Sequence, residues 1–147
     1  MEFPFVPKSA SELEPGVYWA FPLSDGRFGA AVVLSRVVSA GKPNRQLFIT
    51  GVLDWAGSAP PSADDLCSAS IVESGMAHIR TIKYNAGEAL GRLERELNAP
   101  AEVAFDALST FPLPSWGLEY ARHVAEKRAG NHRWVQERLQ SAFGAKG

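Results

Sequence analysis

The chain contains one cysteine, has no long apolar run and carries little net charge. Cys67 has no second cysteine with which to form an internal disulfide, which favours a reducing compartment. Fifteen basic and sixteen acidic residues give a net charge of −1, so nothing attracts nucleic acid or an anionic membrane in general. No apolar run approaches the ~20 residues of a spanning helix, and no secretory signal pattern is visible. We therefore expect a cytoplasmic protein without membrane contact, and nucleic acid is not the expected partner.

The sequence also lacks the residue patterns of common catalytic and metal sites. His78, His123 and His132 have no partner histidine or cysteine at ligand spacing. The serines lack the G-x-S-x-G pattern of a nucleophile elbow, and no phosphate-binding glycine loop occurs. Two acidic residues precede Cys67 and favour its protonated thiol, so a buried structural cysteine is expected. We expect no metal, no cofactor and a protein that is not an enzyme.

One interval of the chain has acidic residues but no basic ones. No lysine or arginine occurs between Arg45 and Arg80. The acidic residues of this interval either lie in solvated loops or form a face for a basic partner, because opposite potentials raise association rate and specificity. They are Asp54, Asp64, Asp65 and Glu73.

The C-terminal segment has the opposite balance. Residues 115–147 contain six basic and three acidic residues, whereas residues 1–114 contain nine and thirteen. Glu119, Glu126 and Glu137 lie between the basic residues of this segment. Such interleaving predicts a solvated surface of salt bridges rather than a nucleic-acid site.

The N-terminal half has the pattern of a small antiparallel sheet. Its strand candidates are rich in aromatic, β-branched and alanine residues. Asp25-Gly26 favours the positive φ angles of a type I′ hairpin turn, and Gly29 predicts a bulge or a close backbone approach. The third strand is apolar along most of its length, which predicts burial on both faces or a central position. The predicted strands are residues 17–21, 28–38, 46–53 and 77–83.

Helical patterns follow the strands. Ser62 is placed to cap a short helix in which Asp64 and Asp65 favour the positive end of the helix dipole. Apolar residues at helical spacing predict three longer helices: one over residues 85–97, one that Ser115 caps and Gly130 ends, and a last one that carries Val135, Leu139 and Phe143.

The predicted fold is therefore α+β in one domain, which a chain of 147 residues can form around its own core. Residues 1–84 are expected to be mainly β and to curl into a partial SH3-like barrel. Residues 85–147 are expected to be mainly α and to pack their helices against that sheet.

The most distinctive segment is the block from Gly16 to Gly29, GVYWAFPLSDGRFG, which continues as a strand to Val38. This block resembles the opening of the immunity protein 26 family, small bacterial proteins of polymorphic toxin and contact-dependent inhibition systems. Val17 stands where an aspartate is common in that family, and Ala30-Ala31 replace the usual second glycine and arginine.

A second segment is similar to the closing segment of the same family. It begins with Ser115-Trp116-Gly117 and continues through Ala121 and Ala125. The two segments together cover about a third of the chain. The intervening residues are only loosely similar to the family.

The resemblance implies a non-enzymatic inhibitor that binds one cognate toxin domain and blocks its active site or an adjacent exosite. Acidic and aromatic side chains would then mimic or cover the substrate site of a basic toxin. The residues expected to contact this partner are Asp25, Arg27, Asp54, Trp55, Asp64, Asp65 and Glu73.

Three other functions remain open from the residues themselves. A small SH3-like reader of nucleic acid or peptide needs a contiguous groove of aromatic and basic side chains, which the charge distribution disfavours. A hydrolase needs a pocket in which polar groups such as Glu73, Cys67 and His78 converge. A structural subunit of a larger assembly would be oligomeric.

Overall fold

A six-stranded sheet forms the centre of the computed structural model, which describes residues 2–109 and 113–144. The strands are β1 (Val17–Pro22), β2 (Phe28–Ser39), β3 (Lys42–Gly57), β4 (Ile71–His78), β5 (Glu88–Arg92) and β6 (Glu102–Ala104), and the α-helices are α1 (Ala63–Leu66), α2 (Arg80–Tyr84), α3 (Tyr120–Arg128) and α4 (His132–Gly144). Short 3-10 helices lie at Ala10–Glu12 and Phe105–Ser109.

Five strands lie in the order β4-β3-β2-β1-β5, and all their pairings are antiparallel. The short strand β6 pairs in parallel with the end of β2. Within the described residues the sheet does not close, and the two longest helices lie in the C-terminal half. The predicted α+β class is thereby confirmed.

The connection between β1 and β2 is a three-residue loop rather than the predicted type I′ turn. Of Asp25 and Gly26, only Gly26 has a positive φ, of 87°. The Gly26 N–H donates to the Leu23 carbonyl at 3.2 Å, and the Leu23 N–H donates to the Arg27 carbonyl at 2.7 Å. This is the pattern of a turn followed by a left-handed glycine. Two successive positive φ angles, 51° and 77°, occur instead at Ala40–Gly41, between β2 and β3.

The long strand β2 confirms both predictions for Gly29. The register between β2 and β3 shifts after this residue. A Cβ at Gly29 would lie 3.0 Å from both Ala125 Cβ and Phe21 Cε2, so α3 and β1 approach the backbone closely here. Strand β3 is central and is buried on both faces over residues 48–53, also as predicted.

Two segments adopt a different structure from the predicted one. Residues 80–84 form helix α2 instead of the end of a strand, and Glu88–Arg92 form strand β5 instead of a helix. A Cβ at Gly87 would lie 2.5 Å from the Ala20 carbonyl oxygen, and one at Gly91 would lie 2.9 Å from the Tyr18 ring. These glycines let the β5 backbone pair with β1, and the resulting hydrogen bonds outweigh a weak helical pattern.

The predicted helix start at Ser115 is wrong, because Ser115 pairs with Met76 of β4. The Trp116 N–H donates to the Met76 carbonyl at 2.8 Å, so the chain is extended here and α3 begins only at Tyr120. The predicted end of that helix and the predicted last helix are confirmed, with Gly130 at a φ of 87° between them. In residues 2–109 and 113–144, no helix combines the length and apolar character that crossing a membrane requires.

Each face of the sheet has its own hydrophobic core. The first, here called the α3 core, includes Trp19, Phe21, Phe48, Val52 and Val124. The second, here called the α1 core, includes Tyr18, Val32, Ile49, Leu66 and Leu93. Helices or loops therefore cover both faces, and the sheet itself leaves no broad open surface.

Short backbone bridges cover parts of both outer strands. The Phe5 and Ala89 backbones exchange hydrogen bonds of 3.1 and 2.8 Å at the edge of β5. The Met76 N–H donates to the Pro114 carbonyl at 2.9 Å at the edge of β4. These bridges satisfy backbone N–H and C=O groups with which an added strand would otherwise pair.

Candidate functional site

Asp25 and Arg27 form an ion pair within the β1–β2 loop. Arg27 Nη2 lies 2.6 Å from Asp25 Oδ2, and the Arg27 backbone N–H donates to Asp25 Oδ1 at 3.0 Å. The hydrogen bonds from Arg27 hold the pKa of Asp25 below its ordinary value. Arg27 also donates to the Ala129 carbonyl at 2.8 Å, so the pair fastens the loop to the end of α3.

Asp54 forms an ion pair with a residue far away in sequence. Arg128, in the last turn of α3, places its Nη2 2.7 Å from Asp54 Oδ2 on β3. The hydrogen bond from Arg128 lowers the pKa of Asp54. The pair is exposed, and it connects the sheet to the helix that covers it.

Glu73 also bonds to α3. The Tyr120 hydroxyl donates a hydrogen bond to the Glu73 carboxylate, and this bond raises the pKa of Tyr120. Glu73 and Asp54 therefore both contact α3 from the sheet.

The remaining predicted contact residues lie on the opposite face. Trp55 is partly buried against the α1 core, where a Cβ at Gly57 would lie 2.5 Å from its ring. Helix α1, which carries Asp64 and Asp65, packs through Leu66 on the same core. The structure thus separates Trp55, Asp64 and Asp65 from Asp54 and Glu73 by the thickness of the sheet.

Helix α1 is capped at Ser62 as the sequence predicts, and Asp65 completes the cap. The Ser62 hydroxyl oxygen accepts from the Asp65 N–H at 3.3 Å, and Asp65 Oδ2 accepts from the Ser62 N–H at 2.9 Å. This reciprocal pair is a capping box. Burial, and after it the negative charge of Asp65, raises the pKa of Tyr18.

Basic side chains from outside the acidic interval reach it in space. Arg95 Nη1 donates to the carbonyls of Leu66 and Ala69 at 3.0 and 2.6 Å, at the C-terminal end of α1. Arg128 reaches Asp54 in the same way from α3. The interval that lacks lysine and arginine in sequence is therefore not isolated from positive charge in the fold.

Three C-terminal arginines form salt bridges, as the interleaving of basic and acidic residues predicts. Arg122 pairs with the buried Glu126 at 3.3 Å, Arg133 with Glu137 at 3.1 Å, and Arg138 with Glu119 at 3.7 Å. Arg122 and Arg138 also lie 5.0 and 5.1 Å from the ring centroid of Trp134. This surface is a set of internal pairs, as expected from the sequence.

The polar groups named for a hydrolase do not converge. Glu73 and His78 are five residues apart on one strand, about 17 Å at the usual rise of an extended chain. His78 Nδ1 accepts from the Arg80 N–H at 3.1 Å. Cys67 is exposed at the end of α1, which corrects the expectation of a buried thiol. Within the described residues, no three histidine, cysteine or acidic side chains are grouped as metal ligands would be.

A groove that the sequence did not predict lies beside α2. Its larger part, here called the basic lobe, has a volume of 680 Å³. The N-terminal segment forms one wall with Val6 and Pro7, and Ile79 and Leu118 contribute further apolar surface. The basic side chains that line this lobe are Lys8, Arg80 and Lys83.

A second part, here called the α4 lobe, has a volume of 590 Å³ and lies between the residues that precede α3 and helix α4. Tyr120, His123 and Leu139 line it, together with the Glu119–Arg138 pair. Tyr84 and Leu118 line both lobes and form a ridge between them.

The groove collects the apolar surface that the fold leaves exposed. Among the described residues, six large hydrophobic side chains are exposed, and four of them line the two lobes. Tyr84 is 58% exposed. The other three are Val6, Tyr120 and Leu139. Apolar groups gathered in one place are typical of an interaction site, whereas scattered ones are not.

The ridge is held in place by a buried amide. Asn85 is 2% exposed, and its Nδ2 donates to the Leu118 carbonyl at 2.7 Å and to the Thr81 carbonyl at 2.9 Å. These bonds tie α2 to the segment before α3. The groove therefore has preformed walls rather than a shape that a partner must create.

The cations of the basic lobe are not neutralised by ion pairs. In the part of the chain that the structure describes, no acidic side chain forms a salt bridge with Lys8, Arg80 or Lys83. The nearest carboxylate that bonds this region, Glu12, accepts from the backbone N–H of Lys8 at 3.2 Å.

The secondary structure explains why the sequence did not predict this lobe. A strand over residues 77–83 would place Arg80 and Lys83 on opposite faces, because side chains alternate along a strand. Helix α2 instead brings residues at i and i+3 to one side. No spacing rule connects Lys8 to them, since the N-terminal segment meets α2 only in the tertiary fold.

Comparisons of the chain with protein-family models, with curated proteins and with solved structures found no match. Of the surfaces described above, the groove combines exposed apolar side chains with unpaired charge.

Proposed function

We propose that this protein is an inhibitor of the immunity type, which binds one toxin domain in the cytoplasm and occludes its active site or an adjacent exosite. The observation that carries the proposal is the two-lobed groove, in which four exposed apolar side chains lie beside unpaired cations. The opening block, which resembles the immunity protein 26 family, supports the inhibitory role. The residues of the groove perform no chemistry in this proposal.

Burial of the groove provides the affinity. Tyr84 is a large, rigid side chain with most of its surface in water, and tyrosine is enriched among residues that dominate binding energy. Covering Val6 and Leu139 as well removes further apolar surface from water, at roughly 25 cal/mol per Å². Lys8, Arg80 and Lys83 increase the rate of encounter with a partner of opposite charge.

The residues expected from sequence contribute less in this proposal. Asp25 and Asp54 already form ion pairs with Arg27 and Arg128, and Glu73 already accepts a hydrogen bond. A partner that used these carboxylates would have to replace existing bonds. Since exposed ion pairs are worth only ~0–1 kcal/mol each, such an exchange yields little net affinity.

The test is capture of the tagged protein from its native host, with mass spectrometry of what is recovered. The expected result is one tightly bound partner in a one-to-one complex, identified as the C-terminal toxin domain of a large secreted protein. Co-expression should then protect cells from that domain. Recovery of housekeeping subunits, or of nucleic acid without a toxin domain, would contradict the proposal.

A second candidate is a small reader of single-stranded nucleic acid. The observation that favours it is the basic lobe, where the exposed Tyr84 ring lies with Lys8, Arg80 and Lys83. Bases stack on aromatic rings while cations contact the phosphates. Fluorescence anisotropy with mixed oligonucleotides distinguishes the candidates, because a reader binds them with an affinity that falls steeply as salt rises.

A further inference from the structure

We propose that the groove binds an acidic segment of the partner protein, which places one apolar side chain in each lobe and carboxylates against the basic lobe. This inference rests on the proposed function, because it requires the partner to be a protein. It adds the chemistry of the part of the partner that is recognised.

The charge of the segment follows from the rim of the basic lobe. Arg80 and Lys83 project from one side of α2, and Lys8 faces them from the N-terminal segment. All three are exposed, and none forms a salt bridge with an acidic side chain of the described residues. Three unpaired cations around one cavity favour carboxylates and disfavour a basic or neutral segment.

The apolar side chains of the segment follow from the two lobes. The ridge of Tyr84 and Leu118 separates cavities of 680 and 590 Å³, and each cavity exceeds the size of a single large side chain. One side chain cannot fill both, whereas two anchors on either side of the ridge can. Burial of each anchor removes apolar surface from water, which offsets the cost of ordering the segment.

The composition of the walls favours a protein segment over nucleic acid. The basic lobe is lined mainly by aliphatic side chains such as Val6, Ile79 and Leu118, and among its described lining residues Tyr84 is the one ring on which a base could stack. A phosphate backbone that continued from the basic lobe into the α4 lobe would meet no unpaired arginine or lysine among its described lining residues, because Arg138 is paired with Glu119. Glu119 does not oppose an aliphatic anchor, because Arg138 lies 3.7 Å from it.

The experiment is selection of random 12-residue peptides displayed on phage against the full chain. Enriched peptides are synthesised with a fluorophore, and their affinity is measured by anisotropy. The charge-reversal variant is Arg80→Glu with Lys83→Glu, and its matched control is Lys42→Glu with Lys127→Glu, which makes the same charge change at exposed positions outside the groove. Thermal unfolding verifies that both double variants are folded.

We expect the enriched peptides to carry net negative charge and two apolar residues. Their affinity should fall by about tenfold or more in the Arg80→Glu, Lys83→Glu variant and change less than about twofold in the control. Tyr84→Ala should weaken binding without changing the charge preference, because it removes the ridge and leaves the cations. Higher salt should weaken binding to the wild-type chain.

Several results would overturn the inference. They are enrichment of basic or neutral peptides, equal binding by the two double variants, displacement of bound peptide by a single-stranded oligonucleotide, and a concentration-dependent dimer that the groove variant abolishes. The last would assign the groove to a second copy of this chain.

The outcomes also separate this inference from the proposed function. If the Arg80→Glu, Lys83→Glu variant still captures and neutralises a toxin domain, the immunity role stands and the groove is not its site. If acidic peptides are selected but no toxin domain is recovered, the groove binds as proposed and the immunity role fails.

Discussion

Glu126 carries a carboxylate with no exposed surface, so its hydrogen-bond partners have to come from within the protein. Its oxygens accept from the Ser24 N–H at 2.9 Å and the Ser24 hydroxyl at 3.0 Å. Arg122 Nε donates to it at 3.3 Å and Asn131 Nδ2 at 2.6 Å. A buried charge is tolerated when it is paired and its remaining acceptor positions are filled. Glu126 therefore connects the β1–β2 loop to α3 and to the start of α4.

Replacement of this carboxylate should be costly. Glu126→Ala is expected to lower the free energy of unfolding by about 1.5–3 kcal/mol, since it removes the buried acceptor to which Ser24, Arg122 and Asn131 donate. Urea denaturation measures the change. Glu137→Ala is the control, because Glu137 forms an exposed i,i+4 pair and should change stability by less than about 0.5 kcal/mol. Similar effects of the two substitutions would contradict this account.

Individual acidic residues show which charge interactions can be predicted from the sequence and which cannot. The cap at Ser62, which Asp65 completes, is a local feature, so the start of this helix could be predicted from neighbouring residues alone. The partner of Asp54 lies 74 positions away on α3, and no spacing rule relates the two residues. The sequence therefore identified the acids but not whether their charges were free.

At the scale of elements, the positive φ angles of a type I′ turn occur in a different hairpin from the one that the sequence predicts. The connection with Asp-Gly is a three-residue loop, whereas Ala40–Gly41 has the two positive φ angles of a type I′ turn. Glu126 explains the first case, because it binds both the backbone and the hydroxyl of Ser24 inside that loop. A tertiary contact has outweighed the local preference.

Ala40 holds a φ of 51°, a conformation that alanine adopts at a cost. Ala40→Asn should therefore raise the free energy of unfolding by about 0.5–1 kcal/mol, because Asn-Gly is the preferred pair for this turn. Thermal and urea unfolding measure the gain. Ala101→Asn serves as the control at an exposed position without a positive φ, and an equal gain there would show that the turn is not the cause.

Elements were predictable where the local pattern agrees with the tertiary fold. Strands β1 and β2 and helix α4 match the expected segments because their apolar periodicity and their packing agree. Strand β5 was missed because Leu90, Leu93 and Leu97 have helical spacing, although the neighbours Ala89 and Leu90 pack in opposite cores, as successive residues of a strand do. As a strand, residues 88–92 supply hydrogen-bond partners to the free edge of β1. This stabilisation depends on β1 and cannot be predicted from residues 88–92 alone.

At the scale of the whole molecule, charge pairs connect the sheet to the helix that covers it. The Asp54–Arg128 pair has its partners on β3 and α3, and the pKa of Asp54 is lowered. A carboxyl whose pKa is lower in the folded chain contributes stability above its unfolded pKa of about 3.9. That contribution is lost as the pH falls through the folded pKa.

The stability difference between the wild type and Asp54→Asn should therefore shrink on acidification. We expect the wild type to be more stable near pH 6, and the difference to diminish below about pH 4 as Asp54 becomes protonated. Urea midpoints across this range provide the measurement. Asp64→Asn is the control, because the structure shows no ion pair for it among the described residues. A constant difference for Asp54→Asn would exclude the pair as its origin.

The fold class was easier to predict than the groove, because the groove is assembled from distant parts of the chain. Strands followed by helices indicate an α+β arrangement from composition and periodicity alone. The groove requires Lys8, α2, the residues before α3 and Leu139 to meet, and these segments span most of the chain. Surfaces assembled from distant segments leave no contiguous signal in a sequence.

The walls of the groove come from opposite ends of the described chain. Val6 and Lys8 follow a backbone bridge at Phe5, and Leu139 belongs to the last helix, whereas most of the two cores lies between them. Trimming from the N-terminal side would remove the Phe5 bridge to β5 and then the Val6 wall, and trimming from the C-terminal side would remove the Leu139 wall. A protease that trims either end would therefore remove part of the groove that we propose as the binding site.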